Sequence, residues 1–224
     1  MTIQKFCARM KKRSPISSVH HLFLLFSFLL LAGCQTVPGT QEDNDSTRTA
    51  RKCSQTAELS GRISMNYTLT HNDRTESLHG KFTWKQDHHT AKISLFSPLG
   101  QTMAIIEISP DQAIFTASGK PPVAAASADE LVFRQLGWPL PVSGMRHWLQ
   151  GCATNASGQS VQADPLHPEI STQDGWHLHY INWIPHGENE LRPKRIDMTH
   201  TPPESAAVST IHIRLVIDDW QQEN

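Results

Sequence analysis

The sequence contains no apolar run long enough to cross a bilayer as a helix. Its longest apolar stretch extends only from Leu22 to Ala32, whereas a membrane-spanning helix needs about 20 apolar residues. Several catalytic signatures are also missing: no Gly-x-Ser-x-Gly, Cys-x-x-Cys or His-Glu-x-x-His occurs. Ser118-Gly119-Lys120 lacks the upstream glycine of a phosphate loop, and Pro121 stands where that loop needs a hydroxyl residue. The sequence therefore indicates no enzyme.

The first 33 residues have the layout of an export signal. Basic residues from Lys5 to Arg13 precede the apolar run, which ends in Leu31-Ala32-Gly33-Cys34. This ending resembles the lipobox of bacterial lipoproteins, and the resemblance implies cleavage before Cys34, a diacylglycerol on its thiol and an acyl chain on its new amino group. More than one acyl chain is needed for a stable anchor. We therefore expect residues 1–33 to be a cleaved signal peptide and Cys34 to be lipidated, without any other cofactor. An ordinary signal peptide with an incidental cysteine is the alternative.

Removal of the signal would leave an acidic chain with a tether. The remaining chain would contain 15 basic and 21 acidic residues, so its formal charge would be −6. This acidic balance argues against nucleic-acid binding. Gln35–Ala57 is polar with almost nothing to bury, so we expect residues 34–57 to form a flexible lipid-anchored tether. Residues 58–224 then form one domain. Cys53 and Cys152 could pair in the cell envelope, but their spacing gives no geometry, so the disulfide stays open.

Alternation of apolar and polar residues predicts strands on both sides of a middle region. It occurs in 59–70, 78–85, 91–95, 176–180 and 211–217, and Ile196 and Met198 mark another strand. The apolar segments 103–108 and 113–117 are expected to form two more short strands. Short polar turns separate the first five segments, which is typical of an antiparallel meander.

The middle region changes to helical spacing. Ser127 and Glu130 match a capping box, an apolar cluster follows up to Leu136, and Gly137 would end the helix. A second short helix is expected from about Ser143. The expected fold is mostly β, with a large antiparallel sheet whose apolar face is covered by two or three short helices.

Two local patterns leave alternatives open. His177 and His179 would share one strand face and could chelate a metal, but no third or fourth ligand is placed by spacing. Solvent-facing histidines are the simpler interpretation. Ser97-Pro98-Leu99-Gly100 links two predicted strands and sets Leu99 at the tip of a turn. Leu99 could serve binding there, or it could be tucked under its own turn.

Several motifs, taken in order along the chain, resemble the LolB family of outer-membrane lipoprotein receptors. They are Phe82-Thr83-Trp84, Ser97-Pro98-Leu99-Gly100, Gly137-Trp138-Pro139-Leu140-Pro141 with Arg146-His147-Trp148, the segment Leu191 to Ile196, and the segment Arg214 to Trp220. The resemblance implies an unclosed half-barrel, a curved sheet whose helices cover an apolar cavity. That cavity would receive the acyl chains of lipoproteins delivered by the periplasmic chaperone LolA. The resemblance also implies that the loop of Pro98, Leu99 and Gly100 inserts cargo into the membrane. Gln35, in place of the Asp linked to inner-membrane retention, favours the outer membrane.

The acyl chains of a lipoprotein need shelter, because each exposed CH₂ costs about 0.8 kcal/mol in water. Residues on or near one face of the sheet and on the helices could line a cavity or serve as plain core: Phe82, Trp84, Ile93, Leu95, Ile105, Leu131, Leu136, Trp148, Leu149 and Ile213. We expect a monomeric receptor, anchored in the outer membrane and facing the periplasm, that works without nucleotide hydrolysis. Its partners would be LolA, lipoprotein acyl chains and outer membrane lipid. The alternative is a structural or assembly lipoprotein with a filled core.

The lipid anchor can be tested at a single residue. We expect Cys34→Ala to release the protein from the membrane into the soluble envelope fraction, because the thiol that carries the diacylglycerol is gone. Fractionation of cells that express each form measures this. A variant that still behaves as an integral membrane protein would contradict the anchor.

Overall fold

The computed structural model describes residues 53–136, 140–186 and 190–221. The signal peptide and most of the tether predicted from the sequence lie outside these residues. The strands are β1 (Ala57–Leu69), β2 (Thr75–Gln86), β3 (Ala91–Phe96), β4 (Thr102–Ile108), β5 (Ala113–Ala117), β6 (Val123–Ala125), β7 (Cys152–Thr154), β8 (Ser160–Gln162), β9 (Glu169–Ser171), β10 (His177–His186), β11 (Glu190–His200) and β12 (Val208–Trp220). The helices are α1 (Ala128–Leu136) and α2 (Val142–Trp148).

Ten of these strands form one antiparallel sheet that does not close. Its order is β6-β5-β4-β3-β2-β1-β12-β11-β10-β9, and β7 and β8 form a separate hairpin. β1 pairs with β2 on one side and with β12 on the other, so the first and last strands meet in the middle of the sheet. The prediction of a mostly β fold with an unclosed antiparallel sheet is confirmed.

Alternation along the strands gives the sheet one apolar face. Leu59 lies opposite Trp84, Trp84 opposite Ile93, and Ile93 opposite Ile106, and all four side chains are buried. The prediction that Ile105 shares this face is wrong, because Ile105 lies opposite Ser94 and points to the other side of β4. In a run of consecutive apolar residues, only the pairing register decides which one points inward.

The two helices lie near opposite edges of the sheet. α1 packs against β5, β6 and α2, which places it at the β6 edge. α2 lies toward the other edge, where the Tyr180 hydroxyl on β10 donates a hydrogen bond to the Trp148 carbonyl at 2.9 Å. The helices therefore cover the apolar face of a sheet that leaves its edges unpaired with each other.

Local sequence explains where the helices begin. The Ser127 hydroxyl accepts a hydrogen bond from the Glu130 N–H at 3.2 Å, as a capping box requires, while the Glu130 carboxylate accepts one from the Ala126 N–H. α2 has no side-chain cap of its own. Instead Asp129 on α1 accepts a hydrogen bond from the Ser143 N–H at 3.0 Å, so α1 supplies the cap of α2.

The boundary predicted between tether and domain needs correction. Residues 34–57 were expected to be tether, but Ala57 already belongs to β1 and is buried. Ser54 hydrogen-bonds through its backbone N–H to Gln150, 96 residues further along the chain. The folded body therefore begins by Cys53, because polar residues can be fixed by hydrogen bonds that composition does not reveal.

Gly61 is required where β1 passes close to β12. A Cβ atom on this residue would lie 2.2 Å from the Val216 carbonyl oxygen and 3.0 Å from Cε1 of Phe82. The register of β1 against β12 shifts between Ser60 and Gly61. A side chain here would meet backbone that cannot rotate away.

We therefore expect Gly61→Ala to lower the free energy of unfolding by about 1–3 kcal/mol or more, since overpacking forces the backbone to move. Urea denaturation followed by tryptophan fluorescence measures the change. Ser64→Ala on the same strand is the matched control and should shift stability by only about 0.5 kcal/mol. Equal midpoints for the two variants would contradict this reading of the β1–β12 contact.

Candidate functional site

The residues predicted to line a cavity form part of one buried apolar cluster between the sheet and the helices. Seven of them are buried members: Phe82, Trp84, Ile93, Leu131, Trp148, Leu149 and Ile213. Leu95 is half-buried against the same cluster. The side chain of Leu136 lies outside the described residues. Their burial places these side chains in the core between the sheet and the helices.

The turn between β3 and β4 carries a leucine that is almost wholly exposed. Leu99 is 92% exposed. The turn is closed by hydrogen bonds from the Ser97 N–H to the Gln101 carbonyl at 2.8 Å and from the Gly100 N–H to the Ser97 carbonyl at 2.9 Å. Gly100 has a φ of +90°, which favours glycine. Of the two interpretations, a leucine tucked under its turn is excluded, and Leu99 stands out into solvent on an ordered hairpin.

A disulfide ties the start of the folded body to the segment after α2. Cys53 and Cys152 are joined with their Cα atoms 6.3 Å apart. Next to them, Gln150 is fully buried and receives the Ser54 N–H at 2.8 Å on its Oε1. The sequence left this pairing open, because residues 99 apart reveal nothing about their separation in space.

Gln150 and Arg192 are buried polar residues that sequence reasoning missed. Nη1 of Arg192 donates to Oε1 of Gln150 at 3.3 Å, and the Arg192 guanidinium lies 5.2 Å above the Trp220 ring. Arg192 also pairs with Glu190 at 3.2 Å. Arg192 lies in the Leu191–Ile196 segment that resembles the LolB family and Gln150 lies in no motif, but nothing in the sequence marks either as buried, and only the fold brings β11 beside the end of α2. Buried polar groups of this kind need partners, which makes the network specific to one arrangement.

Among the described residues, a cleft of about 780 Å³ opens on the outer side of α2. Ser143, His147 and the disulfide line it, together with the β7–β8 hairpin and the turn at Thr172–Asp174. Trp148 is the one predicted cavity residue that also borders this cleft. The lining mixes apolar residues, such as Pro141, Trp148 and Val161, with polar ones, such as Asp129, His147 and Gln162.

Comparison with known proteins decides the family. The family model described as outer membrane lipoprotein LolB matches residues 55–220, which is almost all of the described chain. The chain belongs to the LolB family.

Individual relatives agree with this assignment. The outer-membrane lipoprotein LolB of Cupriavidus metallidurans is 35% identical over 207 residues, covering 90% of this chain and 96% of that protein. LolB of Nitrosococcus oceani is 33% identical, and the match covers 88% of this chain and 95% of that protein.

Among solved structures, a LolA superfamily protein of Nitrosomonas europaea has 10% identity and a TM-score of 0.43, covering 78% of this chain and 89% of that one.

Membership in the LolB family makes this chain one of the outer membrane lipoproteins and confirms that it is not an enzyme. Across the described residues, no helix has the length and apolar character needed to span a membrane. The β3–β4 hairpin with Leu99 and the predicted lining residues therefore belong to a chain whose family is established.

The histidines considered for metal binding lie on the surface. Nδ1 of His177 contacts the Ser171 hydroxyl at 2.8 Å, and both His177 and His179 are exposed. Within the part of the chain that the structure describes, no group of three or more His, Cys, Asp or Glu side chains converges to hold a metal ion. His177 thus has a polar partner on the strand surface.

One titratable group of α2 is sensitive to its surroundings. Partial burial lowers the pKa of His147, and the positive charge of neighbouring Arg146 lowers it further. The folded state thus disfavours the imidazolium form. Above the ordinary histidine pKa of about 6.5, His147 is neutral in both the folded and the unfolded protein, and the free energy of unfolding is retained in full. As the pH falls toward the lower pKa of the folded state, the unfolded state binds the proton more readily, and the free energy of unfolding decreases.

We therefore expect His147→Gln to reduce the loss of stability on acidification. Urea midpoints of both proteins at roughly pH 8 and pH 5, on either side of the ordinary histidine pKa, measure the difference. The wild-type midpoint should fall further between the two conditions than that of the variant. Identical pH dependence in the two proteins would show that His147 does not contribute.

Proposed function

We propose that this LolB family member accepts acylated lipoproteins from the periplasmic chaperone LolA and inserts them into the outer membrane. The match to the LolB family over residues 55–220 carries the proposal. The unclosed sheet with an apolar face and the exposed leucine on a hairpin support it physically. In this proposal Cys34 carries the acyl chains that hold the receptor at the membrane, where tethering raises its effective concentration.

Acceptance of cargo requires the apolar cluster to exchange one set of contacts for another. Burial of a 16-carbon acyl chain is worth ~12 kcal/mol, at about 0.8 kcal/mol per CH₂. Acyl groups that enter beside Leu131, Phe82 or Trp84 would replace side-chain contacts with hydrocarbon contacts of the same kind. No nucleotide is needed if each step binds the chains more tightly than the last, from chaperone to receptor to bilayer.

Release of cargo would take place at the β3–β4 hairpin. Leu99 is exposed at 92%, and Pro98 and Gly100 hold it at the tip of a short hydrogen-bonded turn. Transfer of an exposed leucine side chain from water into the apolar part of a bilayer is favourable. We propose that this contact brings the receptor into the membrane surface, so that acyl chains can pass into lipid without crossing water.

A second candidate function is that of a structural or assembly lipoprotein. The packing of the predicted lining residues into one cluster favours it, since a filled core needs no ligand. The two candidates differ in whether the protein takes up hydrocarbon.

Delivery of a fluorescent cargo distinguishes the two candidates. The acylated full chain, reconstituted in nanodiscs that contain a doxyl-labelled phospholipid, is mixed with LolA that carries a pyrene-acylated lipoprotein. Co-purification of the cargo with the tagged chain measures acceptance, and quenching of pyrene by the doxyl lipid measures insertion. Neither signal above that of empty nanodiscs would favour the structural role.

Leu99→Glu should separate acceptance from insertion. We expect cargo still to co-purify with the variant, while pyrene quenching slows about tenfold or more, because a charged tip is costly to place in hydrocarbon. Leu166→Glu is the matched control, since Leu166 is also exposed, at 69%, but lies on a different loop. Loss of both signals in Leu99→Glu, or equal defects in the two variants, would argue against a role for Leu99 in insertion.

A further inference from the structure

The two helices that cover the apolar cluster are attached to the body by different kinds of interaction. The segment directly after α2 is held by a covalent bond and by buried or partly buried hydrogen bonds, whereas α1 rests on the sheet through apolar side chains. The two kinds of attachment differ in how readily a ligand can replace them. Hydrocarbon can take the place of an apolar contact, but a broken buried hydrogen bond leaves a polar group without its partner. The difference bears on where the cover can open.

At the end of α2, Gln150 and the disulfide form a clamp on the segment from Cys53 to Gln55. Oε1 of Gln150 accepts from the Ser54 N–H at 2.8 Å, and its Nε2 donates to the Ser54 carbonyl at 2.9 Å. The Gln150 amide thus satisfies both backbone groups of Ser54, as a neighbouring strand would. The same Nε2 lies 3.2 Å from the Arg146 carbonyl within α2, and the Cys53–Cys152 bond closes the clamp covalently.

Further hydrogen bonds join this clamp to three parts of the sheet. Nη1 of Arg192 on β11 donates to Gln150 at 3.3 Å. The Gln55 carbonyl accepts from Nε2 of Gln86 on β2 at 3.4 Å. On β10, the Tyr180 hydroxyl donates to the Trp148 carbonyl at 2.9 Å. Movement of α2 away from the sheet would break several of these bonds together.

α1 has no comparable attachment to the sheet. Its buried residues are Ala128, Leu131 and Val132, all apolar. Within the described ranges, the hydrogen bonds of its side chains go to the turn before it, to its own Arg134, or to Ser143 on α2, and none goes to a strand. The Asp129–Ser143 contact is exposed and borders the open cleft, so water can take its place if α1 moves.

We infer that the Cys53–Cys152 disulfide and Gln150 fix α2 in place, so that the cover opens at α1 and acyl chains enter between α1 and the β5–β6 edge. This entry route rests on the proposed function, but the unequal attachment of the helices does not. β6 is an edge strand, so movement of α1 there opens a path from solvent to the cluster without breaking the sheet. The clamp holds Cys53, where the described part of the chain begins, on the part of the cover that stays still.

Amide hydrogen exchange of the full chain in nanodiscs tests the unequal attachment directly. Before any cargo is added, peptides from α1 should exchange at least tenfold faster than peptides from α2 and residues 149–153. In Cys53→Ser with Cys152→Ser, this gap should narrow because α2 loses protection. Equal exchange of the two helices in the oxidised wild type would overturn the inference, as would a gap unchanged after the disulfide is lost.

A second route to the same test keeps the sequence intact in case the double variant folds poorly. A reducing agent that opens the Cys53–Cys152 bond of the wild type should raise exchange in α2, and the cleft gives the agent access to the disulfide. Gln150→Leu should have the same effect with the disulfide present. The reducing agent should not change exchange in the double serine variant, which is the control for effects other than reduction.

The entry route is tested with a pyrene-labelled diacyl lipopeptide added to the oxidised protein. Binding, seen as saturable pyrene fluorescence beyond that of empty nanodiscs, should raise exchange in α1 about tenfold and leave α2 unchanged. Binding with increased exchange in α2 would overturn the entry route and leave the proposed function intact. No binding would overturn both, and the exchange gap before cargo would then stand alone as a property of the fold.

Discussion

The structure depends on the burial of one apolar face of an open sheet. A closed barrel would satisfy its edges by itself, but here β6 and β9 end the sheet without pairing to each other. The apolar face needs a cover, and the two short helices supply it from opposite edges. Every feature connected with function follows from this arrangement: the cluster beneath the helices, the asymmetry of their attachment and the hairpin outside them.

A receptor for hydrocarbon need not contain an empty cavity. Empty apolar space destabilises a protein in proportion to its volume, and in this structure Leu131, Trp148 and their neighbours form one buried cluster beneath the helices. In the proposed function, side chains that move aside for an acyl chain would keep apolar surroundings. The free-energy cost of binding then depends on how the cover is attached, which is why the contrast between apolar contacts at α1 and buried polar contacts at α2 matters.

The start of the folded body and the exposed leucine lie at opposite ends of the strands. Ala57 at the start of β1 lies opposite Gln86, and Gln86 lies opposite Ala91 at the start of β3. The hairpin that carries Leu99 follows the other end of β3. The chain therefore enters the fold at one end of these strands and presents its exposed leucine at the opposite end, with the apolar cluster between them. In the proposed function, the apolar cluster that takes up cargo and the hairpin that releases it would therefore lie at different places on one sheet.

Much of this was determined by the sequence alone, because it depended on neighbours along the chain. Alternation fixed the long strands, Ser127 and Glu130 marked the start of α1, and the Ser97–Gly100 turn set Leu99 at a tip. Tertiary structure decided what depended on residues far apart. The pairing register placed Ile106 inward in place of Ile105, and the meeting of Cys53 with Cys152 depended on how the whole body folds. Gln150 and Arg192 carry no pattern that marks them as buried, since a polar residue becomes a core residue only when partners from other elements satisfy it. Which apolar side chains gather in one cluster beneath the helices is likewise decided by packing in three dimensions, which a linear pattern of apolar residues does not contain.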